Sequence, residues 1–171
     1  VRIVLGNALS LLGVDPLKTV TFDWEKALNF ETNSAPFIQY SHARACNILK
    51  RAEEKPEPDY GGLAHVKERE LLIALAGFPE VFEGAVTELK PGDITAYANN
   101  LADKFNSFYA SVPVLKADSS GLLGARLALV DAVRIVLGNA LSLLGIKAPE
   151  RMRDPGTPPF RFSYIPRYSR G

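Results

Sequence analysis

The chain has one cysteine, Cys46, two histidines, His42 and His65, and a net charge of only +1 across 171 residues. A lone cysteine excludes an internal disulfide and suits a reducing cytoplasm. Two histidines beside it make no metal cluster. Proteins that coat nucleic acid usually carry a basic excess, because neutralising phosphates drives that binding. Any nucleic-acid recognition here must therefore come from one localised site. No apolar run approaches the roughly 20 residues that span a bilayer, so no membrane role is expected. The opening VRIVLGNALSLLG lacks a basic start and a clear small-residue cleavage site, and does not read as a signal peptide. No Lys-Ser or Lys-Thr pair directly follows Gly6, Gly13, Gly138 or Gly145, so these glycines form no phosphate loop. No cofactor is expected.

What is present is a globular composition, 47% hydrophobic and 23% charged, in a chain long enough to bury one core. Nothing alternates with period two over a useful length. KTVTF at 18–22 is strand-like but has no obvious partner. Apolar residues instead recur at spacings of three and four, and the expected fold class is all-α, a helix bundle. Asp23 can cap a helix through Trp24, Ala27 and Leu28. Ser34 caps the next, with Pro36 tolerated in its first turn. Its inner face carries Ile38, Ser41, Ala45, Ile48 and Ala52, and Pro56 and Pro58 forbid continuation, leaving EKPEPDYGG as a loop. Leu71, Leu72 and Leu75 mark a helix over 66–77. After a break at Gly77 and Pro79, Phe78, Val81, Phe82, Ala85 and Leu89 line another face. Lys90-Pro91-Gly92 reads as a turn and Asp93 as the cap of a helix bearing Ile94, Tyr97, Leu101, Phe105, Phe108 and Val112. Beyond Ser119, Ser120 and Gly121, a last long helix buries Leu129, Val133, Val136, Ala140 and Leu144 and stops at Gly145.

Both ends differ from this pattern. VRIVLGNALSLLG occupies residues 1–13 and recurs unchanged at 133–145, with nothing repeated between. Diverged natural repeats drift, and a solenoid repeats throughout. An engineered or recombined origin is therefore expected for residues 1–13. Residues 153–171, RDPGTPPFRFSYIPRYSRG, set four prolines and four arginines against one aspartate. They read as an extended or disordered basic tail. The expected organisation is thus 1–13, a duplicated helix copy; 14–152, the helical domain; and 153–171, the tail.

Five ordered blocks carry a resemblance. FDWEKALNFETNSAPFIQYSHARACNIL (22–49) contains PFIQYSHAR (36–44). FPEVFEGA (78–85), LADKFNSFYASVPVL (101–115), ARLALVDAVRIVLGNALSLLGI (125–146) and APERM (148–152) follow in order. Over residues 20–152 the chain resembles the C-terminal DALR-type anticodon-binding domain of class I arginyl-tRNA synthetases. That family's signature is Pro-Tyr-x-Gln-Tyr-x-His-x-Arg, and the first block is closest in style to archaeal members. The resemblance implies recognition of the anticodon loop of tRNA(Arg), in the cytoplasm. The family's ATP-handling signatures, of the His-x-Gly-His and Lys-Met-Ser-Lys type, are not found, so aminoacylation with ATP and arginine is not expected of this stretch. Family members normally end at the Met of Pro-Glu-Arg-Met, here Met152, and the last 19 residues depart from that pattern.

The same resemblance implies a tRNA-binding surface made of Phe37, Tyr40, Arg44, Lys50, Tyr109 and Met152. The chemistry suits these residue types. Anticodon bases are unstacked in a loop and are read by aromatic stacking and by hydrogen bonds to their edges. Tyr40 and Arg44, at i and i+4, share a helix face and offer a ring and a cationic fork. Each residue also has a plainer role: Phe37 as a core anchor, Tyr40 as half-buried packing, Arg44 in a surface salt bridge, Lys50 as a solvated cation. Phe37 lacks the hydroxyl usual at that position in the family. Tyr109 lies off the stripe of Phe105 and Phe108, which favours function. His42 reads as a hydrogen-bonded packing histidine, Cys46 as a small buried filler, and Arg126 as half of a structural ion pair.

A second reading belongs to a different class. Two identical helices compete for one groove, and the losing copy exposes Ile, Val and Leu that seek a partner. A homo-oligomer formed by helix swapping would then make the chain a self-assembling or tail-presenting scaffold without retained tRNA binding.

Overall fold

The computed structural model describes residues 34–152, which form five helices. These are α1 (Ala35–Arg51), α2 (Val66–Ala76), α3 (Phe78–Thr87), α4 (Pro91–Ser111) and α5 (Ser120–Leu143). A 3-10 turn at Tyr60–Gly62 interrupts the loop between α1 and α2. No strand occurs among the described residues, and none of their helices is long and apolar enough to cross a membrane. The Asp23 helix, the strand-like 18–22, the first repeat copy and the tail lie outside the described residues.

Two helix starts follow simple capping chemistry. Ser34 is extended and its Oγ accepts the Phe37 N–H at 3.1 Å. Ser119 Oγ likewise accepts from the Leu122 N–H at 3.2 Å. Such caps each contribute about 1 kcal/mol by satisfying an otherwise orphaned donor. The start of α4 differs from expectation. The helix begins at Pro91, whose fixed φ and missing N–H suit a first turn, and Lys90 flanks it without a side-chain cap. Asp93 therefore lies inside the first turn, where its charge complements the positive end of the helix.

Five side chains of α4, Ala98, Leu101, Ala102, Phe105 and Phe108, are wholly buried, and α4 packs against every other helix. Burying each large side chain contributes roughly 1.5–3 kcal/mol, so α4 is the axis of the core. On α1, Ile38, Ser41, Ala45 and Ile48 are buried as their spacing predicts. α5 buries Leu129, Val133 and Ala140, but its full inner row also includes Val130, Leu137 and Leu141, with Val136 and Leu144 only half-buried. The short α2 and α3 bury less than the periodicity suggested. Leu71 and Ala85 are inside, whereas Leu72, Phe82 and Leu89 are exposed. Leu89 has left the helix with φ 53°, while the Lys90 N–H returns to the Ala85 carbonyl at 2.9 Å and closes the turn.

Two glycines fix the path of the loops. A Cβ at Gly124 would lie 2.4 Å from the Pro56 carbonyl oxygen, so the proline loop can cross α5 only where that side chain is missing. Gly145, at φ 70°, ends α5 and turns the chain into the segment 146–152. That segment runs back along α1 and sets up the site.

Candidate functional site

Three polar contacts tie this last segment to one ridge of α1. Gln39 Nε2 donates to the Lys147 carbonyl at 2.7 Å. The His42 ring Nδ1 lies 3.0 Å from the Pro149 carbonyl, to which an Nδ1–H tautomer donates. Lys50 Nζ donates to Glu150 Oε2 at 2.7 Å. This hydrogen bond holds the Glu150 carboxyl below the usual carboxylate range. His42 is thus the packing histidine its position suggested. Cys46, one turn on, is buried with its Sγ 3.9 Å from His42 Nδ1, and burial pushes its thiol above the ordinary value.

The route ends at Met152, in the wall of a cleft of about 550 Å³. α1 supplies Tyr40, Arg44, Asn47 and Arg51 to this cleft, spaced so that all four lie on one helix face. The end of α4 supplies Tyr109, and the turn beyond it supplies Val114 and Lys116. Arg44 sits at the centre. Its guanidinium carbon lies 4.7 Å from the Tyr40 ring centroid and 5.1 Å from that of Tyr109, both within cation–π range. Its Nη2 donates to the Tyr40 hydroxyl at 3.1 Å and its Nη1 to Asn106 Oδ1. Neither acceptor is a carboxylate, so neither bond is an ion pair.

Charge separates this cleft from the other hollows. Among the described residues lining it, Arg44, Arg51 and Lys116 are cationic and none is acidic. A hollow between α2, α3 and α4 sets Glu70, Glu88 and Asp93 against Lys104, and one beside α5 mixes Asp131 and Glu150 with Lys50, Lys55 and Arg134. An anionic ligand meets carboxylates in both of these hollows and none in the first cleft. Overall neutrality therefore conceals a local cationic site.

Of the six residues the sequence nominated, four meet here: Tyr40, Arg44, Tyr109 and Met152. Phe37 is not among the lining residues and packs inside, 6% exposed. Lys50 lies beside a different hollow, engaged with Glu150. Asn47, Arg51, Lys116 and Asn106 were not nominated. The first two continue the i, i+4 pairing of Tyr40 and Arg44 to i+7 and i+11, a signal the sequence held. Lys116 and Asn106 reach the cleft and Arg44 through the tertiary fold.

A family model, the DALR anticodon binding domain, matches residues 38–152. The chain belongs to that family. The arginine–tRNA ligase of Thermococcus kodakarensis is 49% identical to this DALR domain over 152 residues, covering 84% of this chain and 24% of the relative. That of Haloarcula marismortui is 46% identical over 144 residues, covering 83% and 25%. The solved arginyl-tRNA synthetase of Thermus thermophilus superposes with a TM-score of 0.75 at 38% identity, over 81% of this chain and 24% of that one. The Plasmodium falciparum arginyl-tRNA synthetase, at 22% identity and a TM-score of 0.65, shares the fold. The resemblance carried by PFIQYSHAR and its companion blocks thus holds, as does the all-helical expectation. The chain spans about a quarter of the length of the curated relatives it matches.

Proposed function

We propose that this DALR domain binds the anticodon loop of arginine tRNA, and that the cleft around Arg44 is where it does so. One observation carries the reading: Arg44 is held between two tyrosine rings in a hollow whose charged lining residues are all cationic. An unstacked base needs a flat partner, and Tyr109, 42% exposed, offers a free ring face at the rim. Met152 adds a polarisable apolar wall. Arg51 and Lys116, both exposed, suit the phosphates that flank a splayed base. Phe37 supports the start of α1 from within, and Lys50 acts through Glu150. Binding is modest and local, in keeping with a net charge of +1. The aminoacylation chemistry of the relatives is assigned to none of the described residues.

The test is a titration of a fluorescent arginine-tRNA anticodon stem-loop with the full chain, against a stem-loop whose central anticodon base is exchanged. The reading requires preference for the first and loss of that preference in Arg44→Met. Equal, weak affinity for both stem-loops in a well-folded protein overturns it and favours the scaffold alternative.

A further inference from the structure

Ser41 is wholly buried, a hydroxyl in the apolar stripe between Ile38 and Ala45. Its O–H donates to the Phe37 carbonyl one turn back, at 3.0 Å. Serines in helices often do this and need nothing more. Here a second bond is made. Asn106 on α4 donates from Nδ2 to Ser41 Oγ at 3.0 Å, while its Oδ1 accepts from Arg44 Nη1.

The sense of this chain is dictated by its inner end. With the serine proton committed to the Phe37 carbonyl, Ser41 Oγ can only accept. It therefore selects the NH2 side of the Asn106 amide, and the amide oxygen is left facing Arg44. The opposite orientation would set an NH2 group against a guanidinium, two donors with no acceptor between them. The Tyr40 hydroxyl accepts from the other terminal nitrogen, so both Nη groups of Arg44 are tied. A long side chain that would otherwise sample many rotamers is held where its guanidinium carbon lies within reach of both tyrosine rings.

We propose that Asn106, oriented by Ser41, is the positioning residue for Arg44 in anticodon binding. The inference rests on the reading of the cleft given above. Asn106 is not among the residues lining the cleft, and its effect on RNA is exerted through the arginine. Pre-ordering lowers the entropic cost of binding, because the cation is already placed when the loop arrives. The same relay gives Phe37 a part in the site: its backbone carbonyl is the fixed end of the chain.

The experiment is a double-mutant cycle on stem-loop affinity in the full chain, using Asn106→Ala, Arg44→Met and the pair. Asn106 is only half-buried, so the alanine variant should fold, and thermal midpoints are measured alongside. Asn106→Ser, too short to span to Arg44, serves as a second probe. The expected result is a loss of about tenfold for Asn106→Ala, the size of a hydrogen bond to a charged group. That loss should vanish when Arg44 is already methionine, since a residue acting through another has nothing left to act on. An equal loss in both backgrounds means Asn106 is merely structural and overturns the proposal. So does full affinity in both Asn106 variants when Arg44→Met is impaired. Wild-type affinity in Arg44→Met would instead overturn the cleft reading, and this inference with it.

Discussion

The Lys50 ammonium lies 2.7 Å from the Glu150 carboxylate, and this contact ties the C-terminal end of α1 to the segment that delivers Met152. It is the outermost of three ties; Gln39 and His42 hold the carbonyls of Lys147 and Pro149 further back along the same ridge. Arg44 occupies a different face of α1 and engages neutral groups only. The two cations are close in sequence and have different partners, so they should behave differently towards RNA.

Affinity measured against salt concentration separates them. A cation that neutralises a phosphate contributes about one unit to the slope of log affinity against log salt. Arg51→Gln and Lys116→Gln should each flatten that slope by about this amount. Lys50→Gln should leave it unchanged and lower affinity less than threefold, since a surface ion pair adds little to holding Met152. A flattened slope for Lys50→Gln would mean that the lysine exchanges Glu150 for a phosphate when RNA binds.

The pairing of Glu68 with Arg126 makes a prediction about stability. Glu68 is wholly buried; its Oε2 accepts the His65 N–H at 2.9 Å and its Oε1 accepts from Arg126 Nε at 2.7 Å. One side chain therefore closes the capping box of α2 and links α2 to α5. Glu68→Ala leaves a mostly buried guanidinium without its carboxylate and should cost about 3 kcal/mol or more. Glu68→Gln keeps an acceptor and should cost less, about 1–2 kcal/mol. Urea unfolding of the two variants checks the order. Equal costs would show that the charge, which both variants lose, is what matters, and not the acceptor that glutamine keeps.

The start of α1, the inner row of α4 and the stop at Gly145 were legible because each depends on residues within a turn or two. The same local logic misjudged Leu72, Phe82 and Leu89. Leu72 and Phe82 keep helical spacing, but α2 and α3 are short and lie against α4 on one narrow side, so outer positions of the apolar arc stay exposed, while Leu89 has turned out of α3. The cleft divides in the same way. Tyr40 and Arg44 could be paired on a helix face from spacing alone. Asn106 could not, because its partners lie 62 and 65 residues away on α1 and a half-buried amide has no period.

Tyr97 should make stability fall at alkaline pH. Its hydroxyl donates to the Ala74 carbonyl at 2.8 Å and its ring packs 5.4 Å from that of Phe78. Burial pushes its pKa up to about 12. The unfolded chain ionises this phenol near its ordinary value of about 10. Stability is thus complete below pH 10 and declines as the pH climbs towards 12, because only the unfolded state releases the proton easily. Tyr97→Phe should cost about 1 kcal/mol at neutral pH through the lost hydrogen bond. It should also lessen the alkaline decline seen in thermal midpoints between pH 9 and pH 11. An unchanged decline would assign it to the other tyrosines and lysines.

The repeated segment makes the last prediction. In α5 the copy at 133–145 buries Val133, Leu137, Ala140 and Leu141 against the core. Residues 1–13 are the same sequence, so Val1, Leu5, Ala8 and Leu9 present the same side chains at the same spacing. Residues 1–13 are therefore expected to compete for the groove that receives 133–145. Exchange within one chain leaves a monomer; exchange between chains links them, and becomes favoured as concentration rises. Sedimentation over a wide concentration range should therefore show mass increasing beyond 18.7 kDa. Leu5→Asp should abolish the increase without unfolding the domain, because it spoils the spare copy alone. Leu137→Asp places the charge in the resident copy and should either unfold the chain or force the spare copy into its place. A constant monomer mass for the parent chain would mean that residues 1–13 do not enter a neighbour's groove.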